Sequence, residues 1–222
     1  TASIFNPSSL GAGTHTISYV LSNSNGCSDT ADQSIVVNPS PGASLPSISA
    51  QCVNASSLSL TGGTPSGGSY FGTGVSGASF DPSVAGVGTH LISYTVTNAF
   101  GCSDTASQSV VVNSAPTAAL GTFTGVCSND SSFTLSGGSP AGGSYSGTGV
   151  SSGVFNPTSA GVGTHLITYT VTNSNSCSAS ASQNITVSSS PTALLAGMSP
   201  FCVDATSVPL TGGSPSGGTY FG

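Results

Sequence analysis

The 222-residue chain contains no Lys, Arg, Glu or Trp, and its six Asp leave it with a formal charge of −6. With no cation to neutralise phosphate, the usual electrostatic route to DNA or RNA is closed, and nucleic acid is excluded as a partner. Polybasic attraction to anionic lipid is excluded for the same reason. No apolar run approaches the ~18 residues that would span a bilayer, so membrane insertion is not expected. No leader segment is legible at the start, where residue 1 falls inside a repeat, and the chain reads as an interior piece of something longer. The absence of Lys excludes Lys–Asn isopeptide cross-links, and with Arg also missing trypsin has no site to cut.

What is present is Ser, Thr and Gly in quantity, with Val, Ile, Tyr and Phe in alternating runs. Low charge accompanies many disordered segments, but disorder also requires a shortage of β-branched and aromatic residues. That shortage does not exist here, so a folded, β-rich chain is expected.

The organising stretch is AGVGTHLISYTVTNAFGCSDTA at 85–106, which recurs as LGAGTHTISYVLSNSNGCSDTA at 10–31 and AGVGTHLITYTVTNSNSCSASA at 160–181. Each copy follows the last at a constant interval of seventy-five residues, as His15, His90 and His165 show. A repeat of this length overrides a one- or two-domain prior from length alone. Pro41, Pro116 and Pro191 mark the linkers. They divide the chain into a C-terminal part of a repeat (1–40), two complete repeats (41–115 and 116–190) and an N-terminal part (191–222). Units this small bury little surface and need staples or support from neighbours.

Within a repeat, His90, Ile92, Tyr94 and Val96 share one parity, while Leu91, Ser93, Thr95 and Thr97 share the other. This period-two pattern predicts a half-buried strand with the His-Ile-Tyr-Val side inward. Tight turns follow at Asn23–Gly26 and Asn98–Gly101. Ser176 replaces the glycine in the third copy, where a wider turn is expected. Pro209, at the outward parity of a short apolar strand, suggests an edge strand. No window shows a 3.6-residue apolar period. Short strands with turn signals every 8–12 residues indicate an all-β sandwich of about six or seven strands per unit.

The run TGGTPSGGSYFGTGVSGASFDPSVAGVGTHLISYTVTNAFGCSDTASQSVVV resembles the immunoglobulin-like, PKD-like repeats of very large surface and secreted proteins of Bacteroidetes. The resemblance covers both complete units and both partial ones. It implies tandem β-sandwiches, export by the type IX route, an extracellular or cell-surface position, and service as spacer, stalk or adhesive array. Such repeats usually keep a Tyr near the start of the sixth strand, where this sequence has His15, His90 and His165.

Two cysteine series run at the repeat interval: Cys27, Cys102 and Cys177, and Cys52, Cys127 and Cys202. In an exported protein they read as a disulfide framework, and neither series has metal-ligand spacing. Pairing within a unit joins Cys52 to Cys102 and Cys127 to Cys177. In immunoglobulin topology, however, the two turns lie at opposite ends of a strand, on the order of 26 Å apart, against a limit of ~7 Å between Cα atoms. A bridge from Cys52 to Cys177 across the junction fits better, unless the opening segment crosses over and rescues the within-unit pair.

The remaining motifs are structural by expectation. The histidines occur once per repeat and suit a corner role, hydrogen-bonded to nearby backbone, rather than metal or general-base work. Gly72–Gly77 matches G-x-G-x-x-G, but Phe80-Asp81-Pro82 and the following glycines allow no phosphate-binding helix, and the next copy has Ser152 at the third glycine. Asp29 and Asp104 give way to Ala179, and Asp81 to Asn6 and Asn156, so no triad repeats. The six Asp lack the clustering that calcium needs. Neither an enzyme nor a cofactor is expected. The resemblance implies O-glycosylation at Thr30 and Thr105, in Asp-Thr-Ala, with an ordinary turn-to-strand junction as the alternative. Asn54, Asn129 and Asn184 fit the N-x-S/T pattern.

Two expectations concern function. One is a linear array of sandwiches forming an extracellular filament, stalk or adhesin, with other copies of itself as partner. The other is a binding module whose glycine-rich loops and Tyr70, Tyr145 and Tyr220 contact glycans. The partial repeats are either a window on a longer repetitive polypeptide, or halves that residues 202–222 of one molecule and 1–37 of the next complete head to tail.

Overall fold

The computed structural model describes residues 4–222, and the chain divides into two units, Thr1–Ala115 and Pro116–Gly222. The first unit begins with a one-turn helix α1 (Pro7–Leu10). An antiparallel hairpin follows, β1 (Gly13–Ser22) and β2 (Ser28–Val37), with His15 opposite Ile35 and Tyr19 opposite Ala31.

The rest of the first unit is a seven-stranded sandwich. Its strands are β3 (Gln51–Cys52), β4 (Leu58–Ser59), β5 (Ser69–Phe71), β6 (Val75–Ser76), β7 (Ser79–Phe80), β8 (Gly88–Thr97) and β9 (Ser103–Asn113), with a one-turn helix α2 (Pro82–Ala85) before β8. One sheet has the order β3-β9-β8-β5 and the other β4-β7-β6. β3 runs parallel to the end of β9, with Cys52 level with Asn113, and the other pairs are antiparallel.

Alternation builds the core. On β8 the residues Ile92, Tyr94 and Val96 are buried, and on the neighbouring β9 Val110 and Val112, opposite His90 and Gly88, are buried as well. Leu45, Leu60 and Phe80 close the cluster from the other side. His90 continues the inward row and is half-buried. On the outer face, directly opposed hydroxyls bond in rungs: Ser93 to Ser107 (2.9 Å), Thr95 to Thr105 (2.8 Å) and Thr97 to Ser103 (2.7 Å). A Thr/Ser face of this kind satisfies itself side by side and contributes a few tenths to ~1 kcal/mol per pair.

The helix α2 starts where Asp81 accepts from Ser83 N (2.9 Å) and Val84 N (3.4 Å), with Pro82 at the first position. Those are the two ordinary start signals of a helix. The apolar periodicity gave no sign of it because a single turn is shorter than one period. Gly86 ends it in the left-handed region at φ 81°.

The second unit repeats the plan. Its strands are β10 (Ala119–Leu120), β11 (Val126–Cys127), β12 (Phe133–Thr134), β13 (Gly138–Ser139), β14 (Ser144–Ser146), β15 (Val150–Ser151), β16 (Val154–Phe155), then helix α3 (Pro157–Ala160), β17 (Gly163–Thr172) and β18 (Ser178–Ser188). The sheets are β11-β18-β17-β14 and β12-β16-β15, with β10 pairing β13. The core is Leu120, Leu135, Phe155, Ile167, Tyr169, Val171, Ile185 and Val187. Two short strands, β19 (Leu194–Leu195) and β20 (Gly213–Ser214), pair after it.

Two expectations need correction. The turn at Ser176 is not widened: Ser176 N donates to Asn173 O at 3.0 Å, as Gly101 N does to Asn98 O, and Ser176 itself takes φ 62°. Asn173 holds the turn by accepting from Asn175 N and Cys177 N, both at 3.0 Å. That scaffold offsets the modest cost of a left-handed serine. Pro209 lies in no strand at all, since residues 203–212 contain none.

Candidate functional site

The cysteines occupy opposite ends of each sandwich. Cys52 sits on β3 beside Asn113, and Val53 N donates to Asn113 O at 2.9 Å. Cys102 precedes β9 at its other end, eleven residues away along the strand, or roughly 36 Å at ~3.3 Å per residue. In the second unit Cys127 lies beside Ser188, and Cys177 at the far end of β18. Cys52 and Cys177 are each disulfide-bonded, whereas Cys27, Cys102, Cys127 and Cys202 carry free thiols. Bridges from Cys52 to Cys102 and from Cys127 to Cys177 are therefore absent, and strand length is the physical reason.

The first unit also shows what lies next to a cysteine of the Cys102 type. Asn98 Nδ2 donates to Pro39 O at 2.8 Å, and Cys102 Sγ is 4.0 Å from Asn38 O. The end of the β1–β2 hairpin thus meets the turn that carries Cys102.

The histidines each donate from Nε2 to the carbonyl four residues upstream: His90 to Gly86 (2.8 Å), His165 to Gly161 (2.8 Å) and His15 to Gly11 (3.0 Å). A carbonyl can only accept, which fixes the proton on Nε2. Among the described residues no group of three His, Cys, Asp or Glu converges as a metal site would require.

Two carboxylates have structural partners. Asp104 accepts from Ala43 N (2.7 Å) and Thr105 N (2.9 Å), and these backbone donors, Ala43 foremost, hold its pKa below the ordinary 3.8. Asp81 is lowered chiefly by its bonds from the Ser83 hydroxyl and backbone. Asp104 fastens the segment after Pro41 to β9, and in the second unit the same place is Ala179.

The tyrosines of the glycine-rich loops are also engaged. Tyr70 Oη accepts from Gly63 N (3.0 Å), Tyr145 Oη from Gly138 N (2.9 Å) and Tyr220 Oη from Gly213 N (2.7 Å). Tyr94 lies under the same loop, its ring 4.8 Å from that of Tyr70. Its hydroxyl accepts from Gly68 N (2.8 Å) and donates to Pro65 O (2.6 Å). A Cβ at Gly63 would stand 2.6 Å from the Tyr94 ring, and one at Gly68 2.5 Å from Thr95 O, so both positions must be glycine. Tyr169 is cradled identically by Gly138 and Gly143. Parity along β8 placed Tyr94 inward, but nothing in the sequence signalled the cradle. The Thr64–Pro65, Ser139–Pro140 and Ser214–Pro215 bonds inside these loops are cis.

The two partial repeats expose the faces that the complete ones bury. On the hairpin Tyr19 is 66% exposed, against 2% for Tyr94 and Tyr169. At the other end of the chain Leu195 is 62% exposed, against 8% for Leu120. Residues 191–221 form an open, mostly apolar trough of about 820 Å³ lined by Leu195, Leu210, Gly213, Pro215, Gly218 and neighbouring residues. A Cβ at Gly218 would meet nothing within 4 Å.

Thr105 Oγ1 shares its rung with Thr95, while Thr30 opposes Val20 and is exposed. No helix among the described residues is long and apolar enough to cross a membrane.

Two sheets packed over an alternating core, with a corner bond at the start of β8, define an immunoglobulin-like β-sandwich. No family model matches the sequence, and no curated protein does. Among solved structures, the chain is similar to a calcium-stabilised adhesin with which an Antarctic bacterium reaches out and binds ice. That match has 14% identity, covers 81% of this chain and 58% of the adhesin chain, and has a TM-score of 0.34. It is also similar to immunoglobulin domains 1–4 of Sidekick-1 (12% identity, 80% and 58% covered, TM-score 0.27). A third is the insect immune protein hemolin (13% identity, 78% and 56% covered, TM-score 0.27). The chain spans between half and two thirds of the length of each, and the likeness extends no further than the type of sandwich.

Proposed function

We propose that the chain is a non-catalytic structural segment of an extracellular filament, stalk or adhesin, built as a linear array of immunoglobulin-like sandwiches with boundaries at 40/41, 115/116 and 190/191. The observation that carries this reading is the placement of the cysteines at opposite ends of β9 and β18, beyond reach of each other within a unit. A staple of that kind can only tie a unit to a neighbour lengthwise. The oxidised state of Cys52 and Cys177 supports a Cys52–Cys177 bridge across the junction, with Cys102 and Cys127 left over for units farther along. The sequence resemblance, rather than the fold, points to surface or secreted proteins of Bacteroidetes and to the type IX export route.

The corner bonds of His15, His90 and His165 support a structural role for all three. Thr30 and Thr105 remain proposed O-glycosylation sites; a hexose increment on their peptides from native material is the expected result, and unmodified peptides would end the idea. A glycan-binding role draws no support from Tyr70, Tyr145 and Tyr220, whose hydroxyls are committed to their own loops.

The test is non-reducing peptide mapping of native material with a non-tryptic protease, joined to imaging. A Cys52–Cys177 peptide and an axial spacing of one sandwich per repeat are expected. A Cys52–Cys102 peptide, or compact particles with no axial repeat, would overturn the array.

A further inference from the structure

One turn joins the long hairpin of every repeat, and it is folded alike in all three copies. Asn23, Asn98 and Asn173 open it, and the residue three places on returns a backbone bond: Gly26 N to Asn23 O (3.1 Å), Gly101 N to Asn98 O (3.0 Å) and Ser176 N to Asn173 O (3.0 Å). That residue is left-handed each time, at φ 82°, 80° and 62°. What differs is the pair at the tip, which reads Asn25-Gly26, Phe100-Gly101 and Asn175-Ser176. The tip is open to water in complete repeats as well as in the first hairpin. Asn25 and Asn175 are exposed, and Phe100 is 65% exposed although Asn98 of the same turn binds the linker carbonyl of Pro39.

We propose that Asn25-Gly26 is a site of self-modification, at which the side-chain amide becomes a carboxylate and the main chain is partly rerouted through it. The nucleophile is Gly26 N, which forms a C–N bond to Asn25 Cγ and closes a cyclic imide. The Cγ–Nδ2 bond breaks, and ammonia leaves with the proton that Gly26 N gives up. Water then opens the ring. Attack at one carbonyl leaves an ordinary aspartate, and attack at the other leaves an isoaspartyl link in which the chain runs through Cβ and Cγ. The acid so formed passes its proton to the departed ammonia. Water is the only co-reactant, and hydroxide speeds ring closure by drawing off the Gly26 proton.

The turn favours that pair. Glycine reaches the torsions that ring closure needs without steric cost. A Cβ at Gly26 would meet nothing within 4 Å, so the space for a ring and an incoming water is free. The Asn25 backbone N donates to Asn23 Oδ1 at 3.0 Å, while its side chain has no hydrogen-bond partner among the described residues. Releasing the Gly26 N–H leaves the turn standing, because Asn23 Oδ1 also accepts from Cys27 N (3.0 Å) and Asn23 N donates to Cys27 O (2.9 Å).

Other asparagines lack the combination. Asn6, Asn38 and Asn156 precede proline, whose nitrogen has no hydrogen to give. Asn98 is held at both ends of its amide, Oδ1 by Phe100 N and Cys102 N and Nδ2 by Pro39 O. Asn175 occupies an identical turn, but the side chain of Ser176 crowds the attacking nitrogen and makes it the slow counterpart. Phe100 cannot react.

The product counts for more in this chain than in most. No cation is present to pair with a new carboxylate, so the formal charge moves further from zero than −6. The isoaspartyl form also inserts an extra main-chain carbon beside the last rung of the hairpin, Ser22 opposite Ser28. The tip thus records the age of the molecule as charge.

The test incubates the 222-residue protein at neutral and at mildly alkaline pH. It is followed by non-tryptic peptide mapping, isoelectric focusing, and labelling with an isoaspartyl methyltransferase and a radiolabelled methyl donor. The Asn25 peptide is expected to convert first, faster at the higher pH, into aspartyl and isoaspartyl forms, with Asn175 several-fold slower. Gly26→Ser, which copies the third turn, is expected to slow Asn25 to the rate of Asn175. Phe100→Asn places the same pair in the first complete sandwich, whose folding is checked by hydrogen exchange on β8–β9, and is expected to convert like Asn25. An intact Asn25, conversion no faster than at Asn175, or an unconverted tip in Phe100→Asn overturns the proposal. The last result would assign the change to fraying of the first hairpin and not to the turn. None of these outcomes bears on the array of sandwiches, which rests on the cysteine map.

Discussion

Ile92 and Ile17 are the same residue of the repeat in two settings, which makes their substitution by alanine a controlled measurement. Ile92 is fully buried between Tyr94, Val110 and the opposite sheet. Ile92→Ala removes buried methyl and methylene groups and leaves a cavity in a core of eight side chains, a change that costs about 2–5 kcal/mol. A unit of this size has a total stability of about 4–11 kcal/mol at ~0.05–0.15 kcal/mol per residue. The substitution thus removes a large share of it. Ile17 is 42% exposed, and Ile17→Ala in a single copy is expected to stay within about 0.5 kcal/mol. Amide exchange read separately on β8–β9 and β17–β18 avoids assuming that two units melt as one. Ile92→Ala should speed exchange of the most protected β8–β9 amides about 30-fold or more, at about 1.36 kcal/mol per decade, and leave β17–β18 unchanged. Equal acceleration in both hairpins, or a cost below about 1 kcal/mol, would refute the packing of Ile92 against Tyr94 and Val110.

In thermal melts Gly68→Ala is expected to cost about 1–3 kcal/mol, at the upper end because the obstructing atom is the Thr95 carbonyl and not a side chain that can rotate; Gly218→Ala should be near neutral by the same measurement. His90→Leu forfeits the bond to Gly86 and should lower the stability of the first unit by about 0.5–1.5 kcal/mol in urea titration. Asp104 and Asp81 have pKa values below 3.8 in the folded state, so their contribution is complete above the unfolded value near 3.8 and is lost as pH falls through the folded values. Asp104→Asn should flatten that acid loss in the first unit and leave the second, which carries Ala179, unaffected.

The sandwich was legible because alternation survives in GTHLISYTVT and because the two ends of β9 are separated by a countable number of residues. That same count argued against a within-unit disulfide. The turn at Ser176 misled because glycine at the other copies suggested a steric need, whereas the Asn173 side chain does the holding. The one-turn helices were hidden by their length, although Asp81-Pro82 carried both start signals. The tyrosine cradle was out of reach for another reason. Its partners lie 26 and 29 residues from Tyr94 on the far side of a loop, and no local pattern links a ring to the glycines that make room for it. The open trough followed only once buried and exposed copies of one residue could be compared.

The cradle also restricts how such a repeat can drift. A tyrosine ring pressed on two glycines leaves no single neutral step: a side chain at Gly63 or Gly68 collides with what is there, and a smaller residue at 94 leaves a hole and a loop without its anchor. Tyr94, Gly63, Pro65 and Gly68 must therefore be inherited as a block. Duplicated units of this kind should stay alike at these four places long after their outer Ser and Thr have diverged.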